Sequence, residues 1–439
     1  RVECHQAALA PFRLIDADGA RAAARESEAR HRRGEALSPL DGVPVALKDN
    51  HAARGMPRQS GSRTREARPD AEDQPHVARL REAGCVILAR TTMPDLGWKA
   101  VNDSPLTGVT RNPWKPDRTP GGSSGGSAVA VATGVCPAAT GGDGGGSIRI
   151  PACFTGVYGI KPTSGRVPGL YDSPAGDLVA PGPLTRTVAD AALLLERMCR
   201  PDGRDPIASA VPSPPFRALL CEGVRGLRVA VSATLGFAAP PEGARAAALE
   251  EAARALAAAG AEVAWEDPPL WNARETFVAI WQCAYAVAVA TTPAERLPLF
   301  DPGLLDAARR GLATTALAER LAQAERTRLM HAMIGFHRRV DLLLCPAVPI
   351  GAFAAGHGVN TPDRARYPEW YDWTPFTWPF NLTRQPCASV PWGLDEEGLP
   401  VGVQIVAGHF REDLVLRASA VLEAAKPMPQ PAGTLWRGA

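Results

Sequence analysis

The chain has 439 residues, of which 45% are apolar and 21% charged, a globular balance that excludes a fully disordered chain. Its 48 Lys and Arg nearly cancel its 46 Asp and Glu, leaving a formal charge of +2 and no general electrostatic grip on nucleic acid or an anionic membrane. No uninterrupted apolar stretch reaches the roughly 18 residues a membrane span needs, and the nine cysteines are widely spaced, odd in number and free of any CxxC pair, which argues against a disulfide framework or a cysteine-rich zinc site.

Arg1 opens the chain in place of Met, and no signal-peptide pattern follows, so the sequence predicts a lost N-terminal segment and a reducing, cytoplasmic setting. Residues 16–36, rich in Ala, Arg and Glu, predict a surface helix. Residues 42–47 (GVPVAL) predict a strand that ends at Lys48. A helix is expected over 74–83, with Asp73 as its cap, Pro75 in its first turn and Gly84 closing it before a strand at 86–88. Residues 103–127 are turn-rich, 128–134 suit a tightly packed helix start, and 141–147 (GGDGGGS) predict irregular backbone. A helix at 187–198 is followed by a Pro-rich surface crossing over 200–226. Strands are then expected at 227–231 and 262–265, with a helix at 242–259 between them. A long helix near 314–339 leads into an apolar run at 340–345, aromatics concentrate at 367–380, and a strand at 400–406 precedes a closing helix at 412–425. This alternation predicts an α/β protein with a mixed, largely parallel central β-sheet flanked by helices on both faces, formed as one domain over 1–439.

The most informative segment runs from Gly121 to Ala152, GGSSGGSAVAVATGVCPAATGGDGGGSIRIPA. Glycine-rich backbone lets several N–H groups converge on one point and stabilise negative charge there, either a bound phosphate or a developing oxyanion. The phosphate reading fails on spelling, because neither GxxxxGK[ST] nor a helix-opening GxGxxG occurs in this block. Two oxyanion readings remain. Residues 122–126 spell GxSxG, which would make Ser124 the nucleophile, but that device needs an acid and a His, and His331, His337, His357 and His409 stand in no telling context. Alternatively Ser147, directly after Gly144, Gly145 and Gly146, attacks a carbonyl held by that turn. A Ser hydroxyl needs a base. Lys48 can serve if burial keeps its amine neutral, with Ser123 passing the proton between them.

This block resembles, through its full length, the signature of the amidase signature family. The likeness extends through REAGCVILARTTMPDLGW, SPLTGVTRNPW, GIKPTSGRVP and LPVGVQIVAG. It is weakest over 200–380, which is therefore expected to be the variable substrate-specificity region. The resemblance implies a Ser–Ser–Lys triad of Lys48, Ser123 and Ser147, a cis peptide before Ser123, and an oxyanion hole from the Gly144, Gly145, Gly146 and Ser147 backbone amides. The implied activity is amide C–N hydrolysis through a Ser147 acyl-enzyme, on a small-molecule substrate, without cofactor or metal and without nucleic acid or membrane as partner; a homodimer is compatible with it. The glutaminase-type component of a tRNA-dependent amidotransferase and an esterase or carbamoyl hydrolase on the same triad are the alternatives, and a non-catalytic nucleotide-binding protein is the reading from another class.

Asp143, in the glycine loop, is expected to hold the loop by accepting backbone N–H bonds. Arg149 is expected to pair internally, in preference to binding a substrate carboxylate. Ser124 is a candidate supporting hydroxyl. His51 reads as a packed or exposed histidine, for want of an indicated acidic partner. The aromatic cluster Trp370, Tyr371, Trp373, Phe376, Trp378 and Phe380 is a candidate for lining an acyl or aryl pocket, with Trp373, Phe376 and Trp378 foremost and burial in the core the equal alternative.

Overall fold

The computed structural model describes residues 2–169, 173 and 175–432. Eleven strands form one sheet: β1 Phe12–Ile15, β2 Pro44–Lys48, β3 Val86–Thr91, β4 Ala138–Asp143, β5 Tyr158–Lys161, β6 Ala180–Thr185, β7 Arg228–Val231, β8 Glu262–Trp265, β9 Leu342–Pro346, β10 Cys387–Leu394 and β11 Pro400–Ala407. Their spatial order is β1-β3-β2-β4-β6-β5-β10-β11-β9-β7-β8. The sheet is mixed: β3-β2-β4 and β9-β7-β8 are parallel, and the strands between them pair antiparallel.

Successive side chains leave a strand on opposite faces, and the apolar runs fill both. Val45, Leu47, Val229, Val231, Leu342 and Leu344 face one core cluster, whereas Ala46, Ala230 and Leu343 face the other side. The main helices are α1 Val2–Leu9, α2 Ala17–Arg33, α3 Pro75–Glu82, α4 Gly125–Ala132, α5 Arg149–Thr155, α6 Val188–Met198, α7 Ala244–Ala258, α8 Arg274–Ala290, α9 Pro302–Leu312, α10 Ala316–Phe336 and α11 Glu412–Ala425. Val77 and Leu80 of α3, Leu195 of α6, Leu249 of α7 and Leu414 of α11 close the first face. Phe154 of α5, Phe277 of α8, Leu304 of α9 and Met333 of α10 close the second. Among the described residues no helix is long and apolar enough to cross a membrane.

The structure departs from the sequence expectations in three respects. β4 continues through Gly141, Gly142 and Asp143, which pair with β6 at Gly182, Pro181 and Ala180, so the first three residues of the expected irregular stretch are strand. The glycines belong there because side chains would not fit: a Cβ on Gly141 would lie 2.6 Å from Leu184 and 2.8 Å from Ile148. Asp73 does not cap α3; the cap position is Gln74, whose side chain makes no capping bond, and Asp73 instead accepts the Arg54 N–H at 2.8 Å. Four helices, α1, α5, α8 and α9, a short one at Phe216–Leu219, and strands β1, β5, β6 and β10 lie where no element was expected. α8 buries ten of its residues, so it lacks the polar stripe by which an amphipathic helix shows itself.

Candidate active site

β2 lies between β3 and β4 and is fully buried from Val45 onward. Lys48, its last residue, is therefore carried into the protein and is 1% exposed. Its Nζ donates to Ser123 Oγ at 2.7 Å and to the Gly142 carbonyl at 3.0 Å. Losing water disfavours the ammonium, and burial lowers the Lys48 pKa from 10.5 to about 7 against the opposing pull of Asp143. Ser123 follows a cis Gly122–Ser123 peptide, the isomer the resemblance implies. Gly122 fits because a Cβ there would lie 2.5 Å from the Val101 carbonyl oxygen.

The chain turns into α4 at Ser124, whose N–H donates to the Ser147 carbonyl at 3.0 Å. The Ser124 hydroxyl donates to the Gly142 carbonyl at 3.4 Å and accepts the Gly142 N–H at 3.3 Å, so it ties the two glycine-rich segments together. Ser147 is 7% exposed. Among the described residues its hydroxyl makes no hydrogen bond, to Ser123 or to any other group.

Residues 144–147 form a tight turn between β4 and α5. Asp143 holds it from below, accepting the Gly146 N–H at 2.8 Å and the Ile148 N–H at 3.1 Å. The N–H of Gly146 is thereby spent, which removes it from the four expected oxyanion donors. Those of Gly144, Gly145 and Ser147 make no hydrogen bond among the described residues. Arg149 completes the support: Nε and Nη2 each meet an Asp143 carboxylate oxygen at 2.9 Å, and both partners have fully buried side chains. The guanidinium also reaches the Thr377 carbonyl and Gln404 at 2.8 Å and Asn381 at 2.6 Å. Burial pushes the Asp143 carboxyl up, but the Arg149 charge and hydrogen bonds outweigh that and hold it well below the usual carboxylate range. Arg149 is thus an internal brace, occupied on every side.

His51 is buried, with Nδ1 2.8 Å from Thr140 Oγ1, and burial drives its pKa well below 6.5, so it stands neutral beside Lys48. No group of three or more His, Cys, Asp or Glu among the described residues is placed to hold a metal ion.

The aromatic surroundings match the expected cluster only in part. Trp373 stacks on Phe154 at 6.0 Å and meets Phe353 edge-on at 5.3 Å, deep in the second core cluster. Phe376 is likewise fully buried there. Trp378 stacks on Phe277 at 5.6 Å and also lines a groove of about 460 Å³ with Phe237, Tyr367 and Tyr371. The rings that bear on the glycine turn are Trp370, from the expected cluster, and Phe277 and Trp281, from outside it. A Cβ on Gly144 would lie 3.1 Å from Trp281, and one on Gly145 2.9 Å from Trp370 and 3.0 Å from Phe277. Thr377 adds a hydrogen bond to the Gly145 carbonyl at 2.7 Å. Sequence reasoning missed Phe277, Trp281 and Thr377, since nothing in a mostly apolar helix or a lone threonine marks it as neighbour to a turn 130 or more residues earlier.

The chain is similar to known proteins over nearly its whole length. The family model described as Amidase matches residues 1–416. The A-type component of the glutamyl-tRNA(Gln) amidotransferase of Acidothermus cellulolyticus is 37% identical over 97% of this chain and 89% of its own length. An acylamidase of Rhodococcus erythropolis is 34% identical, covering 92% of this chain and 85% of its own. Among solved structures, a bacterial aryl acylamidase of the amidase signature family superposes with a TM-score of 0.89 at 29% identity, over 97% of this chain and 91% of that one. A match of this extent, together with the shared architecture, makes the chain a member of the amidase signature family.

Proposed function

We propose that this amidase cleaves a carboxamide or amide C–N bond through an acyl-enzyme on Ser147, with Lys48 as base acting through Ser123. The observation that carries the reading is the 2.7 Å contact of a fully buried Lys48 amine, titrating at about 7, with Ser123 Oγ. As an ammonium it donates to that hydroxyl. As a neutral amine it offers a lone pair along the same line and takes the Ser123 proton, while Ser123 takes the proton of Ser147. Ser147 then bonds the acyl carbon, and the oxyanion faces the N–H groups of Gly144, Gly145 and Ser147. Collapse of the tetrahedral intermediate breaks the C–N bond, and the same relay returns the proton to the leaving amine. Water repeats the cycle and frees the acid. Asp143 and Arg149 keep the turn in shape so that its donors are aimed before substrate arrives.

Residues 200–380 supply Phe277, Trp281 and Trp370 beside the turn, which supports an apolar or aryl group next to the scissile carbonyl. The nine free cysteines suit a reducing compartment, and we place the enzyme in the cytoplasm. The similarity to the amidotransferase component favours a second reading, a glutaminase that passes ammonia to a partner. The deciding experiment is reaction with a fluorophosphonate and with matched amides, an ester and glutamine, followed by mass spectrometry of the labelled peptide. The reading expects the adduct on Ser147 and turnover of an aryl or aliphatic amide by the chain alone. An adduct on Ser124 or another residue overturns the nucleophile, and turnover of glutamine alone favours the second reading.

A further inference from the structure

Lys99 is a buried lysine that the proposed chemistry does not use. Its side chain is fully buried, and its Nζ lies 2.9 Å from both Asp103 and Asp301. A third carboxylate, Asp95, accepts the Asp301 N–H at 2.8 Å. The Asp301 side chain in turn caps α9 by accepting the Gly303 N–H at 2.8 Å. One ammonium therefore joins the segment 95–103 to the N-terminus of α9, some two hundred residues later.

That segment bears on the site at two points. A Cβ on Gly97 would lie 3.3 Å from Ser123 Oγ, so the Gly97 backbone is the wall against which that hydroxyl rests. The Trp98 carbonyl accepts the Trp281 Nε1–H at 3.1 Å, and the Trp281 ring lies over Gly144. Leu96 is held from both sides, its N–H by the Ser60 carbonyl at 2.9 Å and its carbonyl by the Tyr285 hydroxyl at 3.2 Å. It carries a φ of 49°, which a bulky residue adopts only under constraint.

We propose that Lys99 is a positioning residue for acyl transfer: by clamping Asp103 and Asp301 it fixes Gly97 against Ser123 and, through the Trp98 carbonyl, Trp281 over Gly144. The proposal rests on the Ser147 reading above for what is being positioned. A misplacement of about 1 Å at such a site costs up to about a hundredfold in rate. A buried ion pair is a poor source of net stability, so a clamp of this kind is better suited to holding geometry.

The test compares three variants in single-turnover acylation and thermal unfolding. Lys99→Met strands two buried carboxylates and is expected to lose both rate and thermal midpoint. The triple variant Lys99→Met, Asp103→Asn, Asp301→Asn removes the cross-link with its charges. Its midpoint should return to within a few degrees of the parent, while acylation stays about ten- to a hundredfold slow, the loss falling on kcat more than on KM. Trp281→Phe keeps an aromatic ring and deletes the N–H to Trp98; it should fold like the parent and lose rate in the same sense. The acid limb set by Lys48 should not move in any of them. Parental rate in either the triple variant or Trp281→Phe overturns the proposal. Failure of the Ser147 reading shows separately, as a parent whose adduct maps elsewhere.

Discussion

Burial sets the protonation state of Lys48. Its ammonium has given up water for two neutral acceptors, Ser123 Oγ and the Gly142 carbonyl, and the pull of Asp143, so it titrates at about 7 in place of 10.5. Because the neutral amine is the form that accepts a proton, acylation should rise with pH through this region and fall on acidification. Lys48→Met keeps the stem and removes the base; the expected loss in acylation is about a hundred- to ten-thousandfold, with the far-UV circular dichroism unchanged. Lys48→Arg should lose as much, since a guanidinium does not give up its proton in this range. Retention of more than a tenth of the rate in either variant contradicts the base assignment. The residue types at this site were legible because chemistry restricts them: a lysine closing an apolar strand, and serines beside glycines. The loss of Gly146 as a donor was not legible, because it depends on where the Asp143 carboxylate points.

The turn between β4 and α5 works as an element through what its glycines omit. Gly145→Ala places a methyl within 2.9 Å of Trp370 and 3.0 Å of Phe277, both buried. Overpacking of this kind costs about 1–3 kcal/mol, and it tilts the N–H groups that face the proposed oxyanion, where one lost donor costs about 3–4 kcal/mol of transition-state stabilisation. Denaturant unfolding and single-turnover rates should therefore fall together. Gly335→Ala, in α10 with nothing within 4 Å, is the control and should stabilise by about 0.5–1 kcal/mol with activity unchanged. Elements with a clear period or cap signal, such as α2 and α11, fall within a few residues of expectation. α8 does not, because its open face carries apolar residues such as Val287 and so shows no polar stripe, and β4 does not, because glycine in a strand is recognised only once its neighbours are in place.

Across the whole molecule, Arg149 is the junction. It binds Asp143 of β4, Gln404 of β11, the Thr377 carbonyl and Asn381, so one guanidinium holds the glycine turn against both the sheet and the aromatic segment. Arg149→Met leaves the Asp143 carboxylate buried and unpaired, which costs about 3–5 kcal/mol. Chemical denaturation should report a loss of that size; a loss below about 1 kcal/mol would show that the turn is held by other means. The internal role of Arg149 followed from its residue type, but its three distant partners did not, since no local pattern links position 149 with 377, 381 and 404.

The central claim, a neutral Lys48 drawing the proton from Ser147 through Ser123, is tested most directly by the pH dependence of the first acylation turnover, followed in the wild-type chain and in Lys48→Met. The rate should climb roughly tenfold per pH unit on the acid side and level off above about 7, and this limb should be missing from the residual activity of the variant. A rate that is flat across this range, or an acid limb that survives in Lys48→Met, contradicts the claim.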